Sequence, residues 1–424
     1  MKQPGPRPIV DMRVTPVAMA DPPLLNAAGL HAPWALRTIV ELESREGVVG
    51  VSEIPGSAAT EAALAGLREL VVDRDLFDSN GLLLAVEARL RDAASGRTAH
   101  VLSALEVALL DLQGKTLERP VCDLLGGAVR DRVPFSAYLF FKVQGAGGPL
   151  GFATDRRAAG WAAARQAEAR TPEAVVEQAR TMCAEHGFRS LKLKGGALPP
   201  EQEVAAIRAL RAAFGPGVPL RFDPNASWSY ETALRRGREM EGLLEYYEDP
   251  VRGQEAMARL RTEVRLPLAT NMCTTSFEHL PGSVRLHSED VILADHHGWG
   301  GLRPCVELGR FCRAFGRGLS MHSNSHLGIS LAAMIHLAAV VPNLTYDADT
   351  HYPWQSEDVI AGGRLRFEDG ALRVPRGPGL GVEIDRAALE RLRQARLASG
   401  LTHRDDEAEM QKIEPGWRFE PTRW

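Results

Sequence analysis

Paired thiols, nucleotide-binding loops, membrane-length apolar runs and a strong charge of one sign are all missing from this sequence of 424 residues. The five cysteines, Cys122, Cys183, Cys273, Cys305 and Cys312, are odd in number and scattered. With no Cys-x-x-Cys pair they argue against a thiolate zinc site or a disulfide framework, and a reducing cytoplasm is the simple expectation. The longest apolar run, Leu331–Val341, is interrupted by His336 and is far too short to cross a bilayer. The opening stretch MKQPGPRPIVDMRV lacks the apolar core of a signal peptide. A net charge of −4 argues against non-specific nucleic-acid binding. Gly195-Gly196 gives a tight strand exit, but no glycine-rich nucleotide pattern surrounds it. What is present is ordinary for a soluble globular protein: 45% hydrophobic and 25% charged residues, in a chain too long for one simple core.

The chain begins with strand-like runs at Ile9–Met19 and Leu36–Ile54, the second broken by a turn at Arg45-Glu46-Gly47. Between them lies an Ala/Gly-rich loop, Leu24–Trp34, carrying His31. Helical patterns follow near Ala58–Val72, Leu82–Ala94 and Ala99–Leu117, which together make an α+β module. Val133–Phe141 reads as the first strand of a second region, and Lys142–Arg170 as an excursion or lid at its mouth. Strands and helices then alternate up to an eighth strand at Leu344–Asp349. Beyond about Gly377 the periodic pattern stops. The expected architecture is a (β/α)7β TIM-like barrel, residues 133–376, with an α+β capping domain. Residues 1–132 form most of that cap, and residues 377–424 return to it.

One regularity organises the barrel. Lys194, Asp223, Glu248, Asn271, Asp295 and His322 close six successive strand-like runs, at intervals of about 25 residues, roughly one βα unit each. Any one of them can be a capping residue; Asp223 in RFDPNASW, for example, can be a helix cap after a strand. Independent caps would not keep so regular a beat in ligand-type side chains. The C-terminal tips of barrel strands are where such enzymes place their chemistry.

Asp223, Glu248 and Asn271 offer oxygen only, which suits a hard cation, Mg²⁺ first and Mn²⁺ second. Lys192 and Lys194 are two apart on one strand and share a face. Like charge and a nearby cation would favour a neutral, basic amine on one of them, unless the pair is simply solvated. His322 faces Asp295 from the adjacent strand, and a carboxylate beside imidazole orients it. A lysine and an Asp–His pair on two sides of a metal fit removal of a proton next to a carboxylate. Zinc at His296 and His297 is an alternative that adjacent side chains rarely satisfy. Tyr138 can face the pocket from the first strand or serve as core.

KLKGG at Lys192–Gly196, DPNASW, YYEDP, ATNM, ADHHGWGG, HSNSHLGISLA and DTHYPWQ resemble the glucarate dehydratase family of the enolase superfamily. The likeness extends to ALEVALLDLQGK at Ala104–Lys115 and to RDD and PGW in the tail. It implies Mg²⁺ on Asp223, Glu248 and Asn271, with Lys194 and His322 as two bases and Asp295 as the partner of His322. It places Lys192 and Asn225 near the reacting carboxylate, and His31, Asn324, His351 and Arg404 on the rest of a diacid. The chain departs from the pattern at Gly298, where an aromatic often sits, and in a shortened region before Ala104.

The implied reaction is Mg²⁺-dependent loss of water from an acid sugar, with D-glucarate the leading substrate. Rivals are another diacid such as galactarate, an epimerase or lactonising activity, a metal-dependent hydrolase, and a sugar-acid binder without turnover. Arg404 has a further option, a surface pairing with Asp405 or Asp406. The partners expected are a small acid-sugar substrate and further copies of the chain in a homo-oligomer, with no nucleic acid and no membrane.

Overall fold

Three apolar stretches near the N-terminus pair in antiparallel fashion: β1 (Ile9–Ala20), β2 (Trp34–Ser44) and β3 (Val49–Pro55), in the order β1-β2-β3. The computed structural model describes residues 7–91 and 98–424. The β2–β3 turn passes through Gly47 at φ 79°, a left-handed conformation that glycine adopts without a Cβ penalty. Four helices follow: α1 (Ala58–Ala65), α2 (Arg68–Val71), α3 (Ser79–Arg91) and α4 (Thr98–Thr116). The expected single helix Ala58–Val72 is broken at Gly66, whose N–H closes α1 on Ala62 O. Residues 92–94 of the expected Leu82–Ala94 helix lie outside the described residues. Leu105, Leu109 and Leu112 of α4 are buried with Val40, Leu42 and Ile54 in the core of this module.

Seven strands then pair in parallel. They are β4 (Ala137–Phe140), β5 (Leu191–Lys194), β6 (Leu220–Asp223), β7 (Tyr246–Glu248), β8 (Leu268–Thr270), β9 (Val291–Ala294) and β10 (Gly318–Met321), neighbours in chain order. The first strand expected at Val133–Phe141 is in fact two. Arg132–Pro134 pairs antiparallel with Ala371–Arg373, and only Ala137–Phe140 enters the parallel sheet. The eighth strand expected at Leu344–Asp349 is not a regular strand. It nonetheless joins the sheet's edges. Ala348 N donates to Pro134 O and Ala348 O accepts from Ser136 N, while Asp349 N donates to Met321 O. These bonds bring the two edges of the sheet together through residues 345–349. A helix at Leu280–Leu286 that the sequence reading omitted follows β8; its proline sits in the first turn, where a missing N–H costs nothing.

The module grips the barrel with three buried acids. Glu53 Oε1 accepts from Leu327 N and Oε2 from Ser330 N, at the start of helix Gly328–Val340. Glu106 accepts from Leu302 N and Arg303 N, and Asp111 from Leu380 N and Val51 N. Free N–H groups at helix starts need partners, and here the other layer supplies them. Helix Gly328–Val340 is buried at every position, as its mostly apolar sequence requires, with Ser330 and His336 hydrogen-bonded inside.

The tail holds more structure than its sequence pattern suggested. Arg386–Ser399 is a helix capped by Asp385, and it packs on β1. Its arginines mask a buried side of Ala388, Leu389 and Leu392. A short helix, Asp406–Gln411, closes over the loop at Gly29, where a Cβ would strike the Asp406 carbonyl. That loop is a small hairpin, Leu25–Asn26 against Gly29–Leu30. The 142–170 excursion is stapled down rather than free. Gly148 N donates to Pro33 O at 2.6 Å, and Trp161 Nε1 to Pro353 O at 2.7 Å. Among the described residues no helix is long and apolar enough to cross a membrane.

Candidate active site

A cavity of about 300 Å³ opens at the C-terminal ends of the parallel strands. His31 and Arg404 reach it from the loop and the tail, Tyr138 from β4 and Lys194 from the tip of β5. Asn225, Asn271, His322, Asn324 and His351 reach it from the segments after later strands. Met272, Ser323 and Ser325 also line it. Asp223, Glu248 and Lys192 do not line it; they are fully buried behind it. Asp295 stands behind His322. The polar residues that close β8, β9 and β10 sit one position past the regular strand, on the loops.

Charge is paired tightly here. Lys194 Nζ donates to Asp223 Oδ2 at 2.6 Å. Lys192 Nζ donates to Asp349 Oδ2 at 2.5 Å and lies 2.6 Å from Glu248 Oε2. Burial alone would depress the Lys192 ammonium, but Asp349 and Glu248 carry it well above its ordinary value. Two buried carboxylates thus face Lys192 and favour its charged form. Burial also works against the charge on Lys194, and Asp223 overcomes it; a divalent cation on Asp223 would weaken that hold and favour the neutral amine.

Three oxygen donors stand side by side at the ends of β6, β7 and β8. Asp223 Oδ1 takes only the Asn225 N–H, at 2.8 Å. Among the described residues, Glu248 Oε1 and Asn271 Oδ1 are buried without a hydrogen-bond partner, and Glu248 Oε2 meets only the Lys192 ammonium, at 2.6 Å. Buried acceptors left unpaired are costly, and an all-oxygen set of this kind fits a hard divalent cation. Asp249, next to Glu248, accepts from Thr270 Oγ1 at 2.5 Å and from Asn271 N at 2.8 Å, which orients the amide. Asn225, Ala226 and Asp249 all sit at positive φ, so both loops carry backbone strain beside the donors.

Across the barrel, His322 Nδ1 lies 2.9 Å from Asp295 Oδ2. Burial alone would raise the Asp295 carboxyl, but His297 and His322 hold it well below its ordinary value. An ionised carboxylate only accepts, so His322 Nδ1 carries the proton and Nε2 is left for the cavity. Asn324 Nδ2 reaches the same oxygen at 3.5 Å. For the zinc alternative, Asp295, His296 and His297 come within 4.8 Å of one another; His297 is engaged by Asp295 and Ser330 Oγ, whereas His296 Nε2 is buried without a partner among the described residues.

At the outer end, sequence reasoning missed the residue that holds the others. Asp21, fully buried, takes His31 Nδ1 at 3.0 Å and Ser325 Oγ at 3.2 Å, with Arg404 Nη1 at 3.5 Å. It follows a strand as part of Asp21-Pro22-Pro23, outside the barrel's spacing, and no local pattern marks it. Arg404 itself departs from the simple picture of a free fork. Its Nε and Nη2 already hold both oxygens of Asp406, each at 2.5 Å. His351 is pushed well below its ordinary value by burial and by the neighbouring His31. It stands 4.8 Å from the Tyr138 ring, ring centre to ring centre.

Comparison with known proteins adds relatives to this geometry. Residues 174–388 match the family described as "Enolase C-terminal domain-like". Residues 10–126 match "Mandelate racemase / muconate lactonizing enzyme, N-terminal domain". A probable glucarate dehydratase of Streptomyces coelicolor is 45% identical, over 96% of this chain and 97% of the relative. An enolase structure from Pseudomonas fluorescens with bound magnesium, potassium and tartrate is 45% identical with TM-score 0.92, covering 99% of this chain and 100% of that one. One from Thermobispora bispora, complexed with magnesium and formate, is 48% identical with TM-score 0.91, covering 98% of this chain and 99% of that one.

Proposed function

Because the chain belongs to the enolase superfamily, we propose that this hydro-lyase removes water from D-glucarate, giving 5-dehydro-4-deoxy-D-glucarate. The observation that carries the reading is one cavity reached by Lys194 and by the Asp295-bound His322, with the oxygens of Asp223, Glu248 and Asn271 between their strands. Magnesium is the cofactor; held by those three residues, it supplies positive charge where the substrate carboxylate gains negative charge. Two carboxylates and a neutral amide balance a divalent cation, so the ligand set leaves room for an anionic substrate oxygen.

The chain's own groups divide the rest of the work. Lys194 and His322 stand on different sides of the barrel, and one or the other takes the proton from the carbon next to the carboxylate, each serving one configuration at that carbon. Lys192, held between Glu248 and Asp349 behind the cavity, places positive charge near the reacting carboxylate, with the Asn225 amide beside it. His322 Nε2, once protonated, gives its proton to the departing β-hydroxyl, which leaves as water. The enol that remains tautomerises to the keto-deoxy diacid. At the far end, Arg404 Nη1 and His31 face the second carboxylate, and Tyr138, Asn324 and His351 line the space between.

A panel of acid sugars assayed with Mg²⁺ tests this. D-glucarate should show the highest kcat/KM, above galactarate and above the monoacid gluconate, with keto-deoxy product formed. A preference for a monoacid, or conversion of hexarates only to an epimer or lactone, would replace the reading.

A further inference from the structure

His322 does not hold its carboxylate alone. Asp295 is shared between two histidines: Oδ2 takes His322 Nδ1, while Oδ1 takes both the ring Nδ1 and the backbone N–H of His297, each at 2.9 Å. Two bonds from one residue to one oxygen fix the rotation of the Asp295 carboxylate, and with it the direction in which Oδ2 points. His297 is in turn held from behind. Its Nε2 lies 2.7 Å from Ser330 Oγ, 3.1 Å from Glu53 O and 3.4 Å from Arg37 Nη2. Arg37 and Glu53 belong to β2 and β3 of the capping module and form a buried pair at 2.7 Å. Glu53 also closes the start of the helix that bears Ser330. His297 therefore stands where a rigid element of the cap meets the carboxylate that orients His322.

We propose that His297 is a positioning residue for the acid–base work of His322, aligning Asp295 and tying that alignment to the Arg37–Glu53 pair of the capping module. The inference rests on the functional reading above, in which His322 serves one configuration and protonates the leaving hydroxyl while Lys194 serves the other. His297 touches neither Lys194 nor the three oxygen donors, so its loss should be felt on one side of the reaction only. A positioned acid or base contributes about 10²–10⁴ in rate, and misorienting its partner forfeits part of that. Asparagine is the discriminating substitute: its side-chain N–H stands near the place of imidazole Nδ1–H and can still donate to Asp295 Oδ1, while alanine cannot.

The experiment uses the full-length enzyme with Mg²⁺. It follows dehydration of D-glucarate, and follows deuterium exchange from D₂O next to the carboxylate in D-glucarate and in its epimer at that carbon. His297→Ala should lose about 100-fold in kcat for dehydration and in the exchange served by His322, with KM within about threefold. Exchange served by Lys194 should stay within about twofold of wild type, which also shows that the variant is folded. His297→Asn should recover at least about tenfold of the loss. Parallel loss of both exchange reactions in His297→Ala would overturn the proposal, as would unchanged dehydration, or His297→Asn no better than His297→Ala. A wild-type enzyme that neither exchanges nor dehydrates any hexarate would overturn the functional reading, and this inference with it.

Discussion

Replacing Arg404 with alanine should have two separable effects, one on the fold and one on diacid preference. The side chain is 28% exposed, and its fork is closed on Asp406, which is 11% exposed. Burial alone would raise the Asp406 carboxyl, yet Arg404 brings it from 3.8 down to about 2. A depressed carboxyl stabilises the fold above its unfolded value, so the full contribution is present at pH 7 and is lost as pH falls through about 2. About two units correspond to about 2 kcal/mol after allowance for exposure, and Arg404→Ala should cost the fold that much at pH 7. Only Nη1 is left to meet a substrate carboxylate, so the catalytic loss is that of one charge-assisted hydrogen bond rather than two. kcat/KM for a hexarate should fall about tenfold, and for gluconate by less than about twofold. Asp406→Asn releases the fork and should raise the diacid-to-monoacid ratio instead. Steady-state kinetics on both substrates, with urea denaturation of each variant, reads all of this. Equal losses on diacid and monoacid would show that Arg404 serves the fold alone and would refute the reasoning.

Asn271→Asp should bind Mg²⁺ at least as tightly by calorimetry yet turn over more slowly, because a third carboxylate opposes the substrate anion; unchanged kcat would remove Asn271 from the ligand set. Lys194→Ala and His322→Ala should each keep deuterium exchange only at the configuration served by the other base, and His322→Ala should also stop dehydration. Wild-type dehydration in His322→Ala would mean a different acid. Asp111, buried between the module and the barrel, has its carboxyl pushed up to about 6 from 3.8, by burial against the opposing pull of Lys115. A raised carboxyl favours the fold below its unfolded value and loses that contribution as pH rises through about 6. The stability of wild type relative to Asp111→Asn, from urea midpoints, should therefore fall by about 2–3 kcal/mol between pH 4 and pH 7, and a flat difference would contradict it.

What the sequence made legible is what repeats. Each βα unit carries one polar residue at its tip, so Lys194, Asp223, Glu248, Asn271, Asp295 and His322 could be found by counting. The elements that escaped are those whose pattern is set by distant partners. Glu53 and Arg37 look like alternating charges on an exposed hairpin, and only the cap-to-barrel contact makes them a buried pair. Asp21 has no periodicity, since its role comes from His31 and from a tail almost four hundred residues on. Residues 344–349 read as a strand because they are strand-like in composition, but they form one isolated bridge, at Ala348, rather than a ladder. Helix Arg386–Ser399 was hidden by its charged side, whereas the Arg404–Asp406 pairing was one of two options open from the sequence.

Water loss from a hexarate requires a divalent cation to balance the charge of Asp223 and Glu248. The most direct measurement is proton NMR of D-glucarate with chelator-treated enzyme, before and after Mg²⁺ is added back. The substrate should stay unchanged after exhaustive chelation, and the keto-deoxy diacid should form once Mg²⁺ is restored. Full turnover in the chelated enzyme, or no dehydration of any hexarate with Mg²⁺ present, would contradict it.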